Sequence, residues 1–384
     1  PKTAWPPTYR MVESTDGKGN VTKYAYDVMG NVTCVENAEG NCQSYEYNAS
    51  GKVTKVTDFD GASIQREYNV LNRPSKIIDK EGRETLLTYD SMWNLARVTA
   101  PDGARTTYLY NEENLLSRIK YADGAVVRYT YDANGNRIGE EDENGAKTTF
   151  VYDALGRVVE VNGEEGLHYA YRYDGEGNLI EAEDALGNTV SMEYDGNGNL
   201  VKETNALGES RHYTYTPLGD VESITDEAGR TTCYQYQKGG LLEKIQYSDG
   251  TEEAFTYDAN GNLETHTLAT GFVLRYGYDS MDRITEITGS EGEKKSYTYD
   301  ALGNVTSMTD GEGNITRYAY TLSGRLAKVT DALGNETEYQ YDACDRLIEI
   351  CQYGEKADQE FLEAEERNRR GRRCLSRRSP VRRG

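Results

Sequence analysis

Apolar and polar positions recur along the chain with a period of 21 residues. A tyrosine opens each unit, and sixteen units follow one another without an insertion or deletion. Such self-similarity predicts an array of similar structural units rather than a globule with one active site. The opening residues, here called the key tyrosines, are Tyr26, Tyr47, Tyr68, Tyr89, Tyr110, Tyr131, Tyr152, Tyr173, Tyr194, Tyr215, Tyr236, Tyr257, Tyr278, Tyr299, Tyr320 and Tyr341.

Each unit contains two short stretches that have the pattern of strands. The residues from Thr316 to Tyr320 alternate with period two, which is typical of a half-buried strand and places Thr316, Tyr318 and Tyr320 on one face. Two positions before the key tyrosine an aromatic residue recurs in most units. A second strand is expected between the turns, as from Val305 to Thr309.

Two turns separate these strands in every unit. The first turn, for example 300–303, has Asp at its first position and Gly at its fourth, which is the preference of a type I turn followed by a left-handed residue. The second turn uses the same residues about ten positions later, and its glycines include Gly187, Gly313 and Gly334. The sequence therefore predicts a hairpin turn at every change of direction.

Five first turns lack the glycine. Asn72, Asn114, Asp282 and Asp345 replace it in four of them, and Asn and Asp are the residues that best accept left-handed geometry after glycine. Trp93 stands at this position in the fifth. Because tryptophan does not favour that geometry, we expect a differently built turn there, with the indole lying on the sheet.

The predicted fold class is all-β, a long antiparallel repeat sheet with about two strands per unit. Sixteen units give about 32 strands, and at about 4.8 Å between neighbours the sheet is roughly 150 Å long. A twisted sheet of that length has to curl, so we expect a spiral or shell. Tyrosines at equivalent positions are expected to stack into aromatic ladders on one face.

Composition and charge exclude several functions. The chain has 384 residues and a formal net charge of -22, which argues against a nucleic-acid partner because such binding depends on neutralising phosphates. No apolar run is long enough to span a membrane. Six scattered cysteines, at positions 34, 42, 233, 344, 351 and 374, are expected to be free thiols.

No motif for catalysis stands out. His168, His212 and His266 occupy unrelated positions in their units and are interpreted as wall residues. The stretches 132–136, 195–199 and 258–262 begin like a calcium loop, but they lack its glycine at the sixth position and are interpreted as turns. We therefore predict no catalytic residue, no metal site and no cofactor. An enzyme would require a histidine and a carboxylate that face a pocket.

The unit at 299–306, Tyr-Asp-Ala-Leu-Gly-Asn-Val-Thr, followed by Asp-x-x-Gly-Asn and Thr-x-Tyr-x-Tyr, resembles the YD repeat of Rhs proteins, wall-associated polymorphic toxins, the C components of Tc toxins and teneurins. The resemblance covers roughly residues 5–352. It implies a strip that spirals into a hollow shell, which in bacterial members encloses a toxic C-terminal polypeptide. The core segment that closes such shells has no counterpart here, so no protease residue or toxin domain is assigned.

These observations predict a repeat shell segment at 1–352 and, at 353–384, a short acidic helix (356–368) followed by a basic disordered tail. The expected function is a structural or encapsulating scaffold, and its partner is a toxin polypeptide enclosed by the parent protein. The alternative is a surface module that binds a glycan or a protein through rows of tyrosines. The resemblance implies a secreted or cell-wall location.

Overall fold

The computed structural model describes residues 2–4, 10–354 and 373–375. These residues form one antiparallel sheet of 35 strands, in which each strand pairs with the strand before it and the strand after it. The predicted meander and its fold class are confirmed. No helix in these ranges is long and apolar enough to cross a membrane.

The strands of the first half are β1 (Lys2–Ala4), β2 (Glu13–Thr15), β3 (Val21–Tyr26), β4 (Val32–Glu36), β5 (Cys42–Tyr47), β6 (Val53–Thr57), β7 (Ser63–Tyr68), β8 (Pro74–Ile78), β9 (Glu84–Tyr89), β10 (Leu95–Thr99), β11 (Arg105–Tyr110), β12 (Leu116–Lys120), β13 (Val126–Tyr131), β14 (Arg137–Glu141), β15 (Lys147–Tyr152), β16 (Val158–Gly163) and β17 (His168–Tyr173). A single 3₁₀ turn, Glu164–Gly166, lies between β16 and β17.

The strands of the second half are β18 (Leu179–Asp184), β19 (Thr189–Tyr194), β20 (Leu200–Thr204), β21 (Ser210–Tyr215), β22 (Val221–Thr225), β23 (Thr231–Tyr236), β24 (Leu242–Gln246), β25 (Glu252–Tyr257), β26 (Leu263–Thr267), β27 (Val273–Tyr278), β28 (Ile284–Gly289), β29 (Lys294–Tyr299), β30 (Val305–Thr309), β31 (Ile315–Tyr320), β32 (Leu326–Thr330), β33 (Glu336–Tyr341), β34 (Leu347–Tyr353) and β35 (Arg373–Leu375).

In most units the first turn is held by an aspartate at its first position. In the turn at 300–304, the Oδ1 atom of Asp300 accepts hydrogen bonds from the backbone N–H groups of Leu302 and Asn304, both at 2.9 Å. The Nδ2 atom of Asn304 donates to the Oδ2 atom of Asp300 at 2.9 Å. Gly303 has a φ of 88°, a left-handed conformation that favours glycine. The Tyr-Asp-x-x-Gly-Asn motif thus specifies a hairpin with its own side-chain cap.

The five turns without glycine keep the same conformation. Asn72, Asn114, Asp282 and Asp345 have φ values between 57° and 67°, as expected for Asn and Asp. The prediction for Trp93 was wrong: its φ is 68°, and its N–H donates to the carbonyl of Asp90 at 3.1 Å, as the glycine does in the other units. The pairing of the flanking strands and the Asp90 cap hold the turn against the local preference of tryptophan.

The sheet has two chemically different faces. On the tyrosine face, the half-buried Tyr318 lies opposite Val329 on the neighbouring strand. On the opposite face, cross-strand pairs are polar: Lys202 and Glu193 form an ion pair at 2.8 Å, and the hydroxyls of Thr256 and Thr265 are 2.7 Å apart. Few described side chains are fully buried, so this is a thin wall and not a thick core.

Two expectations for the cysteines and the C-terminal region change. Cys34 and Cys42 form a disulfide across a second turn, and Cys351 is also disulfide-bonded, so the prediction of six free thiols was wrong. Cys34 and Cys42 are eight positions apart in the sequence and lie on two paired strands. Residues 373–375, within the predicted tail, pair with β34 as a strand. The predicted helix at 356–368 lies outside the described residues.

Candidate functional site: the seam between windings

The key tyrosines form one repeated contact along the whole strip. The hydroxyl of each donates a hydrogen bond to the backbone carbonyl of the residue fifteen positions earlier, and the distances lie between 2.6 and 3.1 Å. For every key tyrosine after Tyr26, the acceptor begins the second strand of the preceding unit, as Ile284 does for Tyr299. Each tyrosine therefore ties its own hairpin to the hairpin before it.

The expectation that the key tyrosines stack into aromatic ladders was wrong. Within the described ranges the ring pairs are Tyr169 with Tyr171 and Phe255 with His266. Guanidinium groups cover several key tyrosines instead, for example Arg283 over the ring of Tyr299 at 5.0 Å. Burial raises the pKa of many of these tyrosines, Tyr299 among them, which keeps the hydroxyl protonated as a donor.

Hairpin turns of an antiparallel meander alternate between the two edges of the sheet. First turns therefore occupy one edge, here called the first edge, and second turns occupy the second edge. The sheet coils until five second turns from the beginning of the chain lie along five first turns from its end. This contact is here called the seam. It joins the second turns 16–20, 37–41, 58–62, 79–83 and 100–104 to the first turns 258–262, 279–283, 300–304, 321–325 and 342–346.

Arg83 and Asp345 form the most extensive ion pair of the seam. Two guanidinium nitrogens of Arg83 reach the two carboxylate oxygens of Asp345 at 2.8 and 3.2 Å. The remaining Nε atom of Arg83 bonds to Asp79 in its own turn at 2.6 Å. The hydrogen bond from Arg83 holds the pKa of Asp345 below its ordinary value, and the contact with Asp345 raises the pKa of Arg83. Bidentate pairs of this kind fix both orientation and register.

Lys18 makes the corresponding contact at the start of the chain. Its Nζ atom lies 3.3 Å from Asp258 and 3.1 Å from Asp282, which belong to two successive first turns. The backbone N–H of Lys18 donates to the side chain of Asn260, which in turn donates to Asp16 at 2.8 Å. One side chain from the second edge thus clamps two neighbouring turns of the first edge.

Asp16 and Asp258 have strongly lowered pKa values in this cluster. Burial acts to raise the pKa of each, but hydrogen bonds from Asn20 and Asn260 to Asp16, and from Asn262 and Lys18 to Asp258, outweigh it. Each pKa falls from 3.8 to about 2. Both groups are therefore carboxylates at any ordinary pH, and the seam is built around fixed charges.

Close backbone contact and apolar side chains complete the seam. A Cβ atom on Gly17 would overlap the carbonyl oxygen of Ala259 and lie 2.8 Å from its carbonyl carbon, so only glycine fits there. Beside this contact, Phe59 from the second edge and Met281, Leu302 and Leu322 from the first edge line an open cavity of about 500 Å³. The seam is therefore a packed junction with a shallow gap.

The sequence separation across the seam gives the number of units in one winding. Its hydrogen bonds join residues 242 to 264 positions apart. Because one unit has 21 residues, a winding takes about twelve units, or about 24 strands. Sequence reasoning missed the seam residues. Their spacing depends on the curvature of the sheet, which has no local signal in the sequence.

The stretches that begin like calcium loops are turns, as expected. In the turn at 195–199, both carboxylate oxygens of Asp195 accept hydrogen bonds from Asn197 and Asn199, at 2.8 to 2.9 Å. The described residues contain no group of side chains placed to hold a metal ion. In the turn at 258–262, the third residue is Asn260, which bonds to Lys18 and Asp16 in the seam.

Two of the three histidines bond to neighbouring side chains. His266 lies 2.7 Å from Glu253 and stacks on Phe255, and Tyr247 donates to the same carboxylate at 3.1 Å. The neighbouring open cavity of about 350 Å³ is lined by Tyr247 and Tyr234 but not by His266. His168 bonds to the side chain of Asn162 at 2.8 Å.

Comparison with known families agrees with this architecture. The Teneurin YD-shell family matches residues 8–124, 104–215 and 141–286, which together span most of the chain. The chain belongs to the YD-shell family. The RHS Repeat family matches the remaining units at residues 282–315, 299–331 and 320–350. No match to a curated protein was found.

Solved structures with this fold include Tc toxin components. The crystal structure of TcdB2-TccC3 has a TM-score of 0.79 with 14% identity and covers 92% of this chain. That of TcdB2-TccC3-Cdc42 has a TM-score of 0.78 with 14% identity and 92% coverage. The Photorhabdus luminescens Tc holotoxin pore has a TM-score of 0.61 with 13% identity and covers 91%. This YD-shell chain spans only 23 to 25% of the length of those chains.

Proposed function

We propose that this YD-shell chain is a wall segment that encloses a polypeptide and works without catalysis. The observation that carries the proposal is the seam, because it turns an open strip into a continuous wall. A winding of about 24 strands at about 4.8 Å each has a circumference of roughly 115 Å. Its backbone diameter is then about 37 Å, and side chains leave an interior wide enough for an unfolded chain or a very small domain.

The parent of this wall is proposed to be an Rhs-like protein that is secreted or bound to the cell wall. Its cargo would be a toxic polypeptide carried C-terminal to the shell. Support comes from the Tc toxin neighbours, one of which is a complex with Cdc42 and another of which lacks a hypervariable C-terminal region. The net charge of -22 favours a basic or partly unfolded cargo.

A protease challenge tests enclosure. The chain is co-expressed with a basic, flexible, epitope-tagged polypeptide, and the purified complex is treated with trypsin. We expect the probe to copurify and to be cut more slowly than the free probe. The matched control carries Gly17→Ala and Arg83→Asn, which open the seam, and should lose the protection. A probe that is cut at the free rate in the unaltered chain would overturn the proposal.

The alternative, a surface module that binds glycans through tyrosine rows, has weaker support. The hydroxyls of the key tyrosines are already bonded to backbone carbonyls, so they are not free to bind a sugar. The observation in its favour is the open cavity lined by Arg211, Tyr234 and Tyr247 on the tyrosine face. Glycan-array binding that is lost in Tyr234→Ala and Tyr247→Ala variants would support this alternative.

A further inference from the structure

Most of both edges lies outside the seam and carries exposed apolar side chains. On the first edge, Leu155 and Leu218 are 75% and 86% exposed, whereas Met281 at the same turn position inside the seam is 36% exposed. On the second edge, Leu207 and Leu333 are 83% and 87% exposed. Leucines exposed at turn tips leave apolar area on both edges that a partner can cover.

The seam shows how the two edges recognise each other. The third residue of a second turn faces the fifth residue of a first turn that lies 244 positions later. Glu39 bonds to Arg283 in this way, and Asp102 bonds to Arg346 at 2.9 Å. In one unit, the third residue of the second turn comes eight positions after the fifth residue of the first turn. A separation of 244 residues therefore equals twelve units of 21 residues minus these eight positions. Each second turn therefore meets the first turn of the unit that comes twelve units later.

We propose that the free second edge of one copy of this chain docks on the free first edge of a second copy, in the register of the seam. The second copy then takes the place of the next sixteen units of the same spiral. Within one spiral, a second turn faces the first turn of the unit twelve units later. Because the second copy begins again after sixteen units, that first turn belongs to the unit four places earlier in the sequence of the second copy. Within residues 10–354, eleven turns on each edge lie outside the seam and are available for this contact. The inference concerns assembly and does not depend on the enclosure of a cargo.

This register matches charges and apolar residues that the seam does not use. Two acidic residues of one copy face two arginines of the next, and two leucines face two leucines. The pairs are Glu165 with Arg73, Asp249 with Arg157, Leu207 with Leu115, and Leu333 with Leu241. One pair opposes the contact, since Glu312 would face Asp220. If the second copy is moved along the edge by one further unit, the Asp249–Arg157 pair and both leucine pairs are lost. Fewer turns are then in contact.

Arg157 is already arranged like the seam residue Arg283. In both residues the Nε atom donates to the aspartate that begins the turn, at 2.7 Å in Arg157 and 2.6 Å in Arg283. In both, an Nη1 atom donates to a backbone carbonyl of the next unit, and the guanidinium covers a key tyrosine. Arg283 then bonds to Glu39 across the seam. Asp249 is the carboxylate that the register places at this position for Arg157.

The proposed contact joins two different edges, so it is head-to-tail. A contact of this kind does not close on itself, and further copies add to the free ends. The chain is therefore expected to form stacks whose mean length rises with protein concentration. Because the matched pairs are ionic as well as apolar, added salt should shorten the stacks.

Sedimentation velocity and light scattering over a wide concentration range test the stacking. The first-edge variant carries Arg157→Asn and Leu241→Asn, and the second-edge variant carries Leu207→Asp and Leu333→Asp. The new residues occur at the same turn positions in other units, as Asn199 and Asp102 show, so the turns should remain intact. We expect each variant alone to associate at least about tenfold more weakly, which corresponds to about 1.4 kcal/mol.

Mixing distinguishes a head-to-tail stack from other assemblies. Each variant keeps one intact edge, so a mixture should form dimers that do not grow further. The control carries Leu86→Thr and Leu109→Thr on the opposite face, where other units have threonine, and should stack like the unaltered chain. A chain that stays monomeric at all concentrations would overturn the proposal. So would oligomers that both edge variants leave unchanged.

Discussion

The seam and the free edges are built from the same turns but differ in what the turns contact. Arg283 in the seam and Arg157 on the free first edge both bond to the first aspartate of their turn and to a backbone carbonyl of the next unit. Each also covers the key tyrosine of the next unit. Only Arg283 has a carboxylate from another winding within bonding distance. Turn conformation is therefore set inside each unit, whereas burial at the edges is set by the curvature of the whole strip.

This difference separates two sources of stability. Hydrogen bonds within units and between neighbouring units are repeated all along the strip and are independent of coiling. Seam contacts exist only where two windings meet, so their loss should open the coil and leave the hairpins intact. Substitutions at equivalent turn positions in the two regions measure the contribution of the seam.

Acid should have the largest effect, because turn aspartates in both regions titrate together. Asp16 and Asp258 have pKa values of about 2 in the fold, below their ordinary value of 3.8. A lowered pKa stabilises the fold fully above the ordinary value, and this contribution is lost as the pH falls toward about 2. We therefore expect the urea midpoint to be constant above about pH 5 and to fall between about pH 4 and pH 2.

The variant Asp345→Asn measures how much of this acid effect comes from the seam. Asn occurs at this left-handed position in other units, for example Asn72, so the turn should be kept. The variant loses the carboxylate that Arg83 holds ionised, and its urea midpoint should change less steeply with pH. An unchanged pH profile would show that the seam does not contribute to acid sensitivity.

Gly17→Ala should have the next largest effect. A methyl group on Gly17 overlaps the carbonyl of Ala259, and forced overlap of this kind costs about 1–3 kcal/mol. The control is Gly311→Ala, at the same turn position on the free second edge, where a Cβ would make ordinary contacts at 3.5 Å or more. We expect X-ray scattering to show a larger maximum dimension for the first variant only. Equal effects of the two would contradict the seam.

Arg83→Asn should cost somewhat less, about 1–2 kcal/mol. The change removes the partner of Asp345, and both side chains are only partly exposed. The control is Arg230→Asn at the same turn position on the free second edge. Arg230 also bonds to its turn aspartate, at 2.7 Å, but its side chain is 72% exposed. Exposed pairs typically contribute about 0.2–1 kcal/mol, so Arg230→Asn should be the less destabilised of the two variants in urea unfolding.

The repeating parts of the fold could be predicted from the sequence because the residues of each unit determine the strands and turns of that unit. The alternation around Tyr320 and the Asp-x-x-Gly turn at 300–303 fixed strands and turns that the structure confirms. Trp93 shows the limit of this reasoning, since strand pairing and the Asp90 cap override local preference. Family resemblance supplied the hollow shell and the idea of a cargo.

The contacts between distant units could not be predicted in the same way. Arg83 and Asp345 are 262 residues apart, and their meeting depends on how many strands complete a winding. That number is set by small twists summed over about 24 strands, which single-residue patterns do not encode. The role of the key tyrosines was also misread, because alternation shows the face of a side chain but not where its hydroxyl bonds.

Substitution of a key tyrosine should have the smallest effect, and it should be equal in both regions. Tyr299→Phe and Tyr173→Phe each remove a hydroxyl that donates to a carbonyl of the preceding unit, at 2.6 and 2.9 Å. An arginine covers each ring, so the environments match. Loss of one such hydrogen bond costs about 0.5–1.5 kcal/mol, which urea unfolding can measure. A clearly larger cost for Tyr299→Phe would mean that the tyrosine bonds support the seam and are not confined to neighbouring units.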